Sequence, residues 1–250
     1  MQTQKIVLVT GASRGIGAAV AELAAVAGFD VAVNFSRDAL AAQAVVERVR
    51  ALGRRAVSIQ ADVSQEAQVL QMFDVVDGEL GRLTALVNNA GIVAKASKLA
   101  DMSVERWQQM FGINVIGSFL CARAAIHRMA LSKGGTGGSI VNLSSAAARI
   151  GSPADYVDYA ASKGAIDTFT LGLGKELAGD GIRVNAVRPG LIDTEIHASG
   201  GFPDRVQRNS QYVPMGRGGT AREVAEAVLW LLSEQSSYVT ATLVDVAGGR

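Results

Sequence analysis

The sequence predicts an α/β protein: a single doubly wound parallel sheet of seven strands with helices on both faces. Two observations predict it. Apolar, β-branched runs recur at 6–10, 31–33, 56–59, 85–87, 139–143, 183–187 and 242–246, and such continuous runs fit parallel strands buried on both sides. Between them lie segments with helical spacing, such as Ile16, Val20, Leu23 and Ala27, and later Val224, Val228, Leu231 and Leu232. Alternation from end to end leaves right-handed strand-helix-strand crossovers as the expected connections. It consumes nearly all of residues 1–250, so no separate substrate domain is expected. Only 191–220, rich in Gly, Pro and polar residues, breaks the alternation, and a loop of that length is expected to act as a substrate lid.

Composition narrows the function classes. With 24 Lys+Arg against 23 Asp+Glu the net charge is +1, which offers no basic face for nucleic acid. Cys121 has no partner for an intrachain disulfide, which makes a reducing cytoplasm the expected compartment. His127, His197 and Cys121 are too few and too widely spaced for a metal site. Residues 107–122 form the longest uncharged stretch and fall short of the ~20 apolar residues that span a bilayer. Glycine, at 28 of 250 residues, is about 11% against an average near 7%; part of that surplus is expected in backbone turns with a specific task.

The first strand runs into Thr10-Gly11-Ala12-Ser13-Arg14-Gly15-Ile16-Gly17, and an Ala-rich helix follows. Glycines there allow a tight turn and a close approach to a pyrophosphate, which the helix N-terminus attracts with free N–H groups and its dipole. The second strand ends Val33-Asn34-Phe35-Ser36-Arg37, without the acidic residue that holds the ribose hydroxyls of NAD. Arg14, Ser36 and Arg37 are therefore candidate ligands of a 2′-phosphate, which makes NADP(H) the expected cofactor, with NAD(H) as the alternative.

The fifth strand ends in Ser144-Ser145, and a helical pattern opens with Tyr159-Ala-Ala-Ser-Lys163. Positions i and i+4 share a helix face, so phenol and ammonium address one small volume. A nearby ammonium is expected to lower the phenol pKa, as acid/base work on a hydroxyl–carbonyl pair needs. Ser145 is a candidate donor to the substrate oxygen. Tyr156 is a rival phenol without a lysine four residues on.

Thr10-Gly-x-x-x-Gly-x-Gly17, Asn88-Asn-Ala-Gly91, Asn114, Ser145, Tyr159-x-x-x-Lys163 and Pro189-Gly190, in this order, resemble the short-chain dehydrogenase/reductase family along essentially the whole chain, closest in appearance to bacterial oxoacyl-carrier-protein reductases and glucose dehydrogenases. The resemblance implies a Rossmann-type fold and a carbonyl–alcohol oxidoreductase. In it Tyr159 is the acid/base, Lys163 lowers its pKa and binds the nicotinamide ribose, Ser145 polarises the carbonyl, and Asn114 holds a water of the proton relay. Asp62 and Val63 match an adenine contact, Asn89, Ala90 and Gly91 line the cofactor, and Pro189, Gly190, Ile192 and Thr194 match the nicotinamide-side loop. A homodimer or homotetramer is implied as well. Three positions depart from the family pattern: Ser145 to Tyr159 is one residue longer than usual, placing an insertion within 155–158 and making Ser144 a fallback for Ser145; Arg188 stands where a small residue is commoner; Ala241 stands where glycine often does.

A rival function is a dinucleotide-binding regulator or scaffold without turnover, since a fold does not fix a function; the Asn-Ser-Tyr-Lys set argues against it. The substrate is read only as a small carbonyl or alcohol touching 94–96, 150–156 and 191–211. His197 is a minor candidate for substrate contact. A carrier-protein substrate would need a basic docking patch, for which Arg123, Arg128 and Lys133 are sparse.

Overall fold

The structure is a computed structural model that describes residues 4–250, apart from the side chains of His197 and Ser199. Its first half contains β1 (Ile6–Val9), α1 (Gly15–Val26), β2 (Asp30–Phe35), α2 (Ala39–Ala51), β3 (Ala56–Gln60), α3 (Glu66–Glu79), β4 (Ala85–Asn88), α4 (Val104–Phe111) and α5 (Gly117–Met129). The second contains β5 (Gly138–Leu143), α6 (Ala147–Ile150), α7 (Val157–Glu176), β6 (Ile182–Pro189), β7 (Ile192–Asp193), α8 (Ile196–Ser199), α9 (Arg205–Asn209), β8 (Gly219–Thr220), α10 (Ala221–Leu232) and β9 (Leu243–Val246). Seven strands pair in parallel in the order β3-β2-β1-β4-β5-β6-β9. The seven apolar runs are these seven strands.

Alternate residues of each strand feed two cores. Val7, Val9, Val31 and Val33 pack under α1, α2 and α10, whereas Ile6, Leu8, Leu86 and Ile140 pack under α3, α5 and α7. Burial on both faces is what the continuous β-branched runs imply. The order of the strands reverses direction between β1 and β4, and doubly wound sheets place ligands beyond the carboxyl ends of their strands at such a switch.

Val104–Met129 forms one 26-residue helical run, α4 and α5 being joined by a π-helical turn, Gly112–Ile116. It is long and apolar enough to cross a bilayer by length and composition, which the count of uncharged residues missed because Arg106 and Arg123 lie inside it. Half of its most apolar window is buried inside the fold, the place of a core helix. Cys121 lies there, and burial pushes its thiol up to about 12, leaving it an inert apolar group.

Two departures from the family pattern acquire physical reasons. Ala241 has φ +54°, a left-handed conformation that costs a residue with a Cβ about 1 kcal/mol and that glycine adopts freely; its N–H still donates to Val184 O. Arg188 donates to Asp167 Oδ2 at 2.7 and 3.0 Å, balancing a buried carboxylate on α7.

Candidate active site

The turn between β1 and α1 is fixed from two sides. From β2, buried Asn34 accepts from Gly11 N–H at 3.1 Å and donates to the carbonyls of Phe35, Ile59 and Ala61. From the end of β4, Asn89 donates to the carbonyls of Thr10 and Gly11, while Thr10 Oγ1 accepts from the N–H groups of Asn89 and Ala90. Two glycines of the turn serve different ends. Gly15, at φ +56°, makes the turn. A side chain at Gly17 would strike Asn89 Nδ2 at 2.5 Å and Gly11 O at 2.6 Å, so Gly17 lets helix and turn close on each other. Gly190 likewise passes Ala247, whose Cα lies 2.7 Å from where its Cβ would stand. Gly17 and Gly190 thus both let the protein's own backbone approach closely, and Gly190 also lines the cleft described next.

No side chain caps α1, and its first turn holds no acidic residue. An uncapped helix N-terminus at the carboxyl edge of a parallel sheet fits the phosphates of a dinucleotide. Arg14, Ser36 and Arg37 are exposed near this turn and the end of β2. Neither arginine has an ion-pair partner among the described residues. Asp62 accepts from the N–H and hydroxyl of Ser64. Val63 is buried where Gly117 opens α5; a Cβ there would meet its side chain at 2.7 Å.

Beyond the turn opens a cleft. Of the residues expected at the site, Ile16, Asn89, Gly91, Ser145, Tyr159, Lys163, Pro189, Gly190, Ile192 and Thr194 line it. The Tyr159 and Ser145 side chains face the same cleft, with the Ser145 hydroxyl near enough to act on the ionisation of the phenol. Ser144 lines the cleft too, but its hydroxyl donates to Lys163 O at 3.2 Å, whereas Ser145 Oγ accepts from Ala147 N–H at 3.1 Å, so the two serines differ in how their hydroxyls are engaged. Tyr156 turns its phenol away from Tyr159, donating to Gly200 O at 3.3 Å.

The electrostatics differ from expectation. Burial pushes the Tyr159 phenol up from its ordinary value, and the neighbouring Ser145 hydroxyl only partly opposes it. Lys163 does not provide the expected lowering: its Nζ donates to Leu143 O at 2.6 Å and stands 5.7 Å from the centroid of the Tyr159 ring. Burial instead brings Lys163 itself down to about 8, against the pull of Asp167 one turn along the helix. The phenol is thus held protonated, while the nearby lysine, drawn down to about 8, remains mostly an ammonium at neutral pH.

Asn114 sits in the π-helical turn. Its Oδ1 accepts from Ile92 N–H at 2.8 Å, and its Nδ2 donates to Ile92 O and to Ser162 Oγ, which in turn donates to Tyr159 O. The amide therefore joins the chain after β4 to the first turn of α7. A second tie was invisible in sequence: Arg106 of α4 forms a two-pronged pair with buried Asp158, at 2.7 and 3.0 Å, and donates to Lys95 O. These partners are 52 residues apart, and no local pattern announces them.

On the substrate side, Val93, Ile150, Ser152, Tyr156, Leu191 and Ile196 line the cleft, and Ala94–Ala96 do not. Arg205 and Arg250 line it too; Arg250 was missed, and Arg205 was covered only as part of a range. Of the sparse basic group, Arg123 is paired with Glu66 and Arg128 with Asp74 and Asp77. The side chain of His197 lies outside the described residues. No cluster of metal-ligating side chains occurs among the described residues.

Comparisons with known proteins follow the same lines. Residues 11–250 match a family model described as enoyl-(acyl carrier protein) reductase. An uncharacterized oxidoreductase, YgfF, of Escherichia coli is 54% identical over 245 residues, 98% of this chain and 99% of the relative. Glucose 1-dehydrogenase 2 of Bacillus subtilis is 38% identical over 247 residues, 99% of this chain and 95% of the relative. Among solved structures, a short-chain type dehydrogenase/reductase from Mycobacterium marinum superposes with a TM-score of 0.91 at 38% identity, covering 98% and 94% of the two chains. Acetoin dehydrogenase YohF from Salmonella typhimurium gives a TM-score of 0.88 at 36% identity, covering 99% and 97%.

Lys163 makes a testable contribution to pH dependence. Below about 8 it is protonated in the folded and unfolded chain, and its burial cost is carried in full; between about 8 and 10.5 the unfolded chain binds the additional proton, so stability rises with pH across that window. Urea denaturation should show the unaltered chain gaining roughly 1–3 kcal/mol over Lys163→Met between about pH 7.5 and 10. Equal pH slopes in the two proteins would refute it.

Proposed function

The chain belongs to the short-chain dehydrogenase/reductase family of oxidoreductases acting on CH–OH groups with NAD(P), and from that premise we propose an NADP(H)-dependent enzyme interconverting a carbonyl and a secondary alcohol, with Tyr159 as acid/base. The observation that carries this reading is that Ser145 and Tyr159 face one cleft above buried Lys163, at the carboxyl edge of β5.

When bound, a nicotinamide dinucleotide supplies or accepts the hydride. The protein's own groups orient and move the proton. Burial keeps the Tyr159 phenol protonated, ready to give its proton from Oη to a substrate carbonyl oxygen and, in the opposite direction, to take it back. Ser145 donates a hydrogen bond to that oxygen and favours the phenolate once the proton has left. Lys163, held by Leu143 O, adds positive charge beneath the phenol and has the pKa to pass a proton onward. Asn114, bonded to Ile92 and Ser162, borders this path and is assigned the relay water. Gly91 leaves the space beside Lys163 open: a Cβ there would stand 3.5 Å from Nζ and 3.4 Å from Asn114 Oδ1.

The preference for NADP(H) rests on Arg14 and Arg37, exposed without ion-pair partners among the described residues, and on the absence of a carboxylate at the end of β2. Asp62 and Val63 are assigned the adenine side and 191–220 the lid. The compartment is read as cytoplasmic, consistent with the single buried thiol. A homodimer or homotetramer is proposed on the face formed by α5 and α7. There Phe119 stacks on Phe169 with centroids 4.0 Å apart, and Ile116 is 48% exposed. Light scattering should give a mass above one chain, and Phe119→Glu should reduce it; a monomer in the unaltered protein would overturn this assignment.

Tyr159→Phe should lower kcat about 10²–10⁴-fold while leaving cofactor affinity nearly unchanged; comparable turnover sinks the role of the phenol. Replacing Arg14 and Arg37 together by alanine should raise KM for NADPH roughly ten- to a hundredfold and leave that for NADH nearly unchanged. A lower KM for NADH in the unaltered enzyme would overturn the NADP(H) assignment.

A further inference from the structure

The rim of the cleft holds an arrangement that the acid/base chemistry does not use. Between α6 and α7 the chain makes a tight excursion in which Ser152 and Ala154 adopt φ +46° and +61°. Residues with a Cβ keep such conformations only where their surroundings enforce them, and functional sites are where that strain collects. Here the enforcement is visible. The N–H groups of Asp155 and Tyr156 both donate to Ser152 O, and Ser97 N–H donates to Asp155 O at 3.0 Å. The excursion carries Asp155 and Tyr156, within the stretch where the chain is one residue longer than its family pattern.

Both side chains are committed to Arg205, on α9. Its Nη2 donates to Asp155 Oδ2 at 2.9 Å, its Nη1 donates to Tyr156 Oη at 3.4 Å, and its guanidinium lies over the Tyr156 ring, 4.9 Å from the centroid. Arg205 and Tyr156 line the same cleft as Ser145 and Tyr159. A guanidinium carries about five N–H donors in a rigid fork, and these two bonds leave donors over in a wall that is otherwise mostly apolar. A cation held in one orientation by a carboxylate and an aromatic face suits recognition, because little side-chain freedom remains to be lost on binding.

We propose that Arg205 is a specificity-determining residue that selects carbonyl substrates bearing a second hydrogen-bond acceptor next to the reacting group, with Asp155 and Tyr156 as the positioning residues that aim it. This rests on the carbonyl–alcohol reading of the site. A substrate whose second oxygen reaches Arg205 gains a charge-assisted hydrogen bond that the matching monocarbonyl lacks. A site built to hydrogen-bond a substrate oxygen disfavours a substrate that leaves its donor unpaired, a penalty that the 21% exposure of the Arg205 side chain softens.

The test compares pentane-2,3-dione with pentan-2-one, using the whole enzyme and NADPH. The dione is intrinsically the more reactive, so the informative quantity is how the ratio of their kcat/KM values changes between proteins. Arg205→Met should lower that ratio about tenfold or more, chiefly through KM for the dione. Arg205→Lys should fall between, since it keeps the charge without the planar fork, and Asp155→Asn should lower the ratio less than Arg205→Met. If kcat/KM falls equally for both ketones in Arg205→Met, the residue merely fastens α9 and the proposal is overturned. An unchanged ratio in a variant that still turns both ketones over overturns it as well. If the unaltered enzyme oxidises NADPH with neither ketone nor any other carbonyl, the carbonyl–alcohol reading itself fails, and the assignment of Arg205 falls with it.

Discussion

The chemistry of this protein depends on how one helix is held against one strand. Lys163 reaches back from α7 to the carbonyl of Leu143 at the end of β5, while Ser144, the next residue, donates to the carbonyl of Lys163. Deeper in the interface Asn88, Asn142 and Thr170 form a buried hydrogen-bonded chain across β4, β5 and α7. Polar contacts at such depth are costly unless paired, so they admit one register of helix on sheet. In that register the phenol of Tyr159 meets the hydroxyl of Ser145, and a shift of one residue along α7 would carry it to another face of the helix.

The same packing explains why the charges behave as they do. An ammonium in the interior loses hydration that a single carbonyl does not replace, which draws Lys163 down rather than strengthening it as a partner of the phenol. Asp167, one turn along α7, opposes this, and Arg188 on β6 forms a two-pronged pair with its Oδ2. Arg188 pairs with this carboxylate directly, while Lys163 feels it only through space. An arginine at the end of a central strand looks out of place in the sequence alone, and the structure gives it this specific duty.

Much of the fold was legible because its signal is local. Parallel strands buried on both faces must be continuously apolar, the helices between them must show a 3.6-residue period, and the glycine turn and the Tyr159–Lys163 spacing are each contained within a few residues. What was not legible depends on partners far apart in the chain. Arg106 and Asp158, Arg205 and Asp155, and Asn34 with the carbonyls of Ile59 and Ala61 are separated by 25 to 52 residues. The tuning of Tyr159 escaped for a related reason: helical spacing says which groups share a face, and only the folded chain shows how much water each has lost. The glycines were found readily, but which atoms each one admits was not, since a sequence shows that a side chain is missing and not what it would have met.

Asn34 separates architecture from selectivity. Its amide nitrogen is surrounded by three main-chain carbonyls, and a carboxylate in its place would set oxygen against oxygen where the ends of β2 and β3 converge. The position nearest the glycine turn is therefore closed to the negative charge that would most directly change how a ribose is recognised. Variation can reach the exposed pair Ser36 and Arg37 without disturbing that junction. Descendants of this chain are thus free to drift in what they bind just outside the strand, while the strand end itself is constrained by its own backbone.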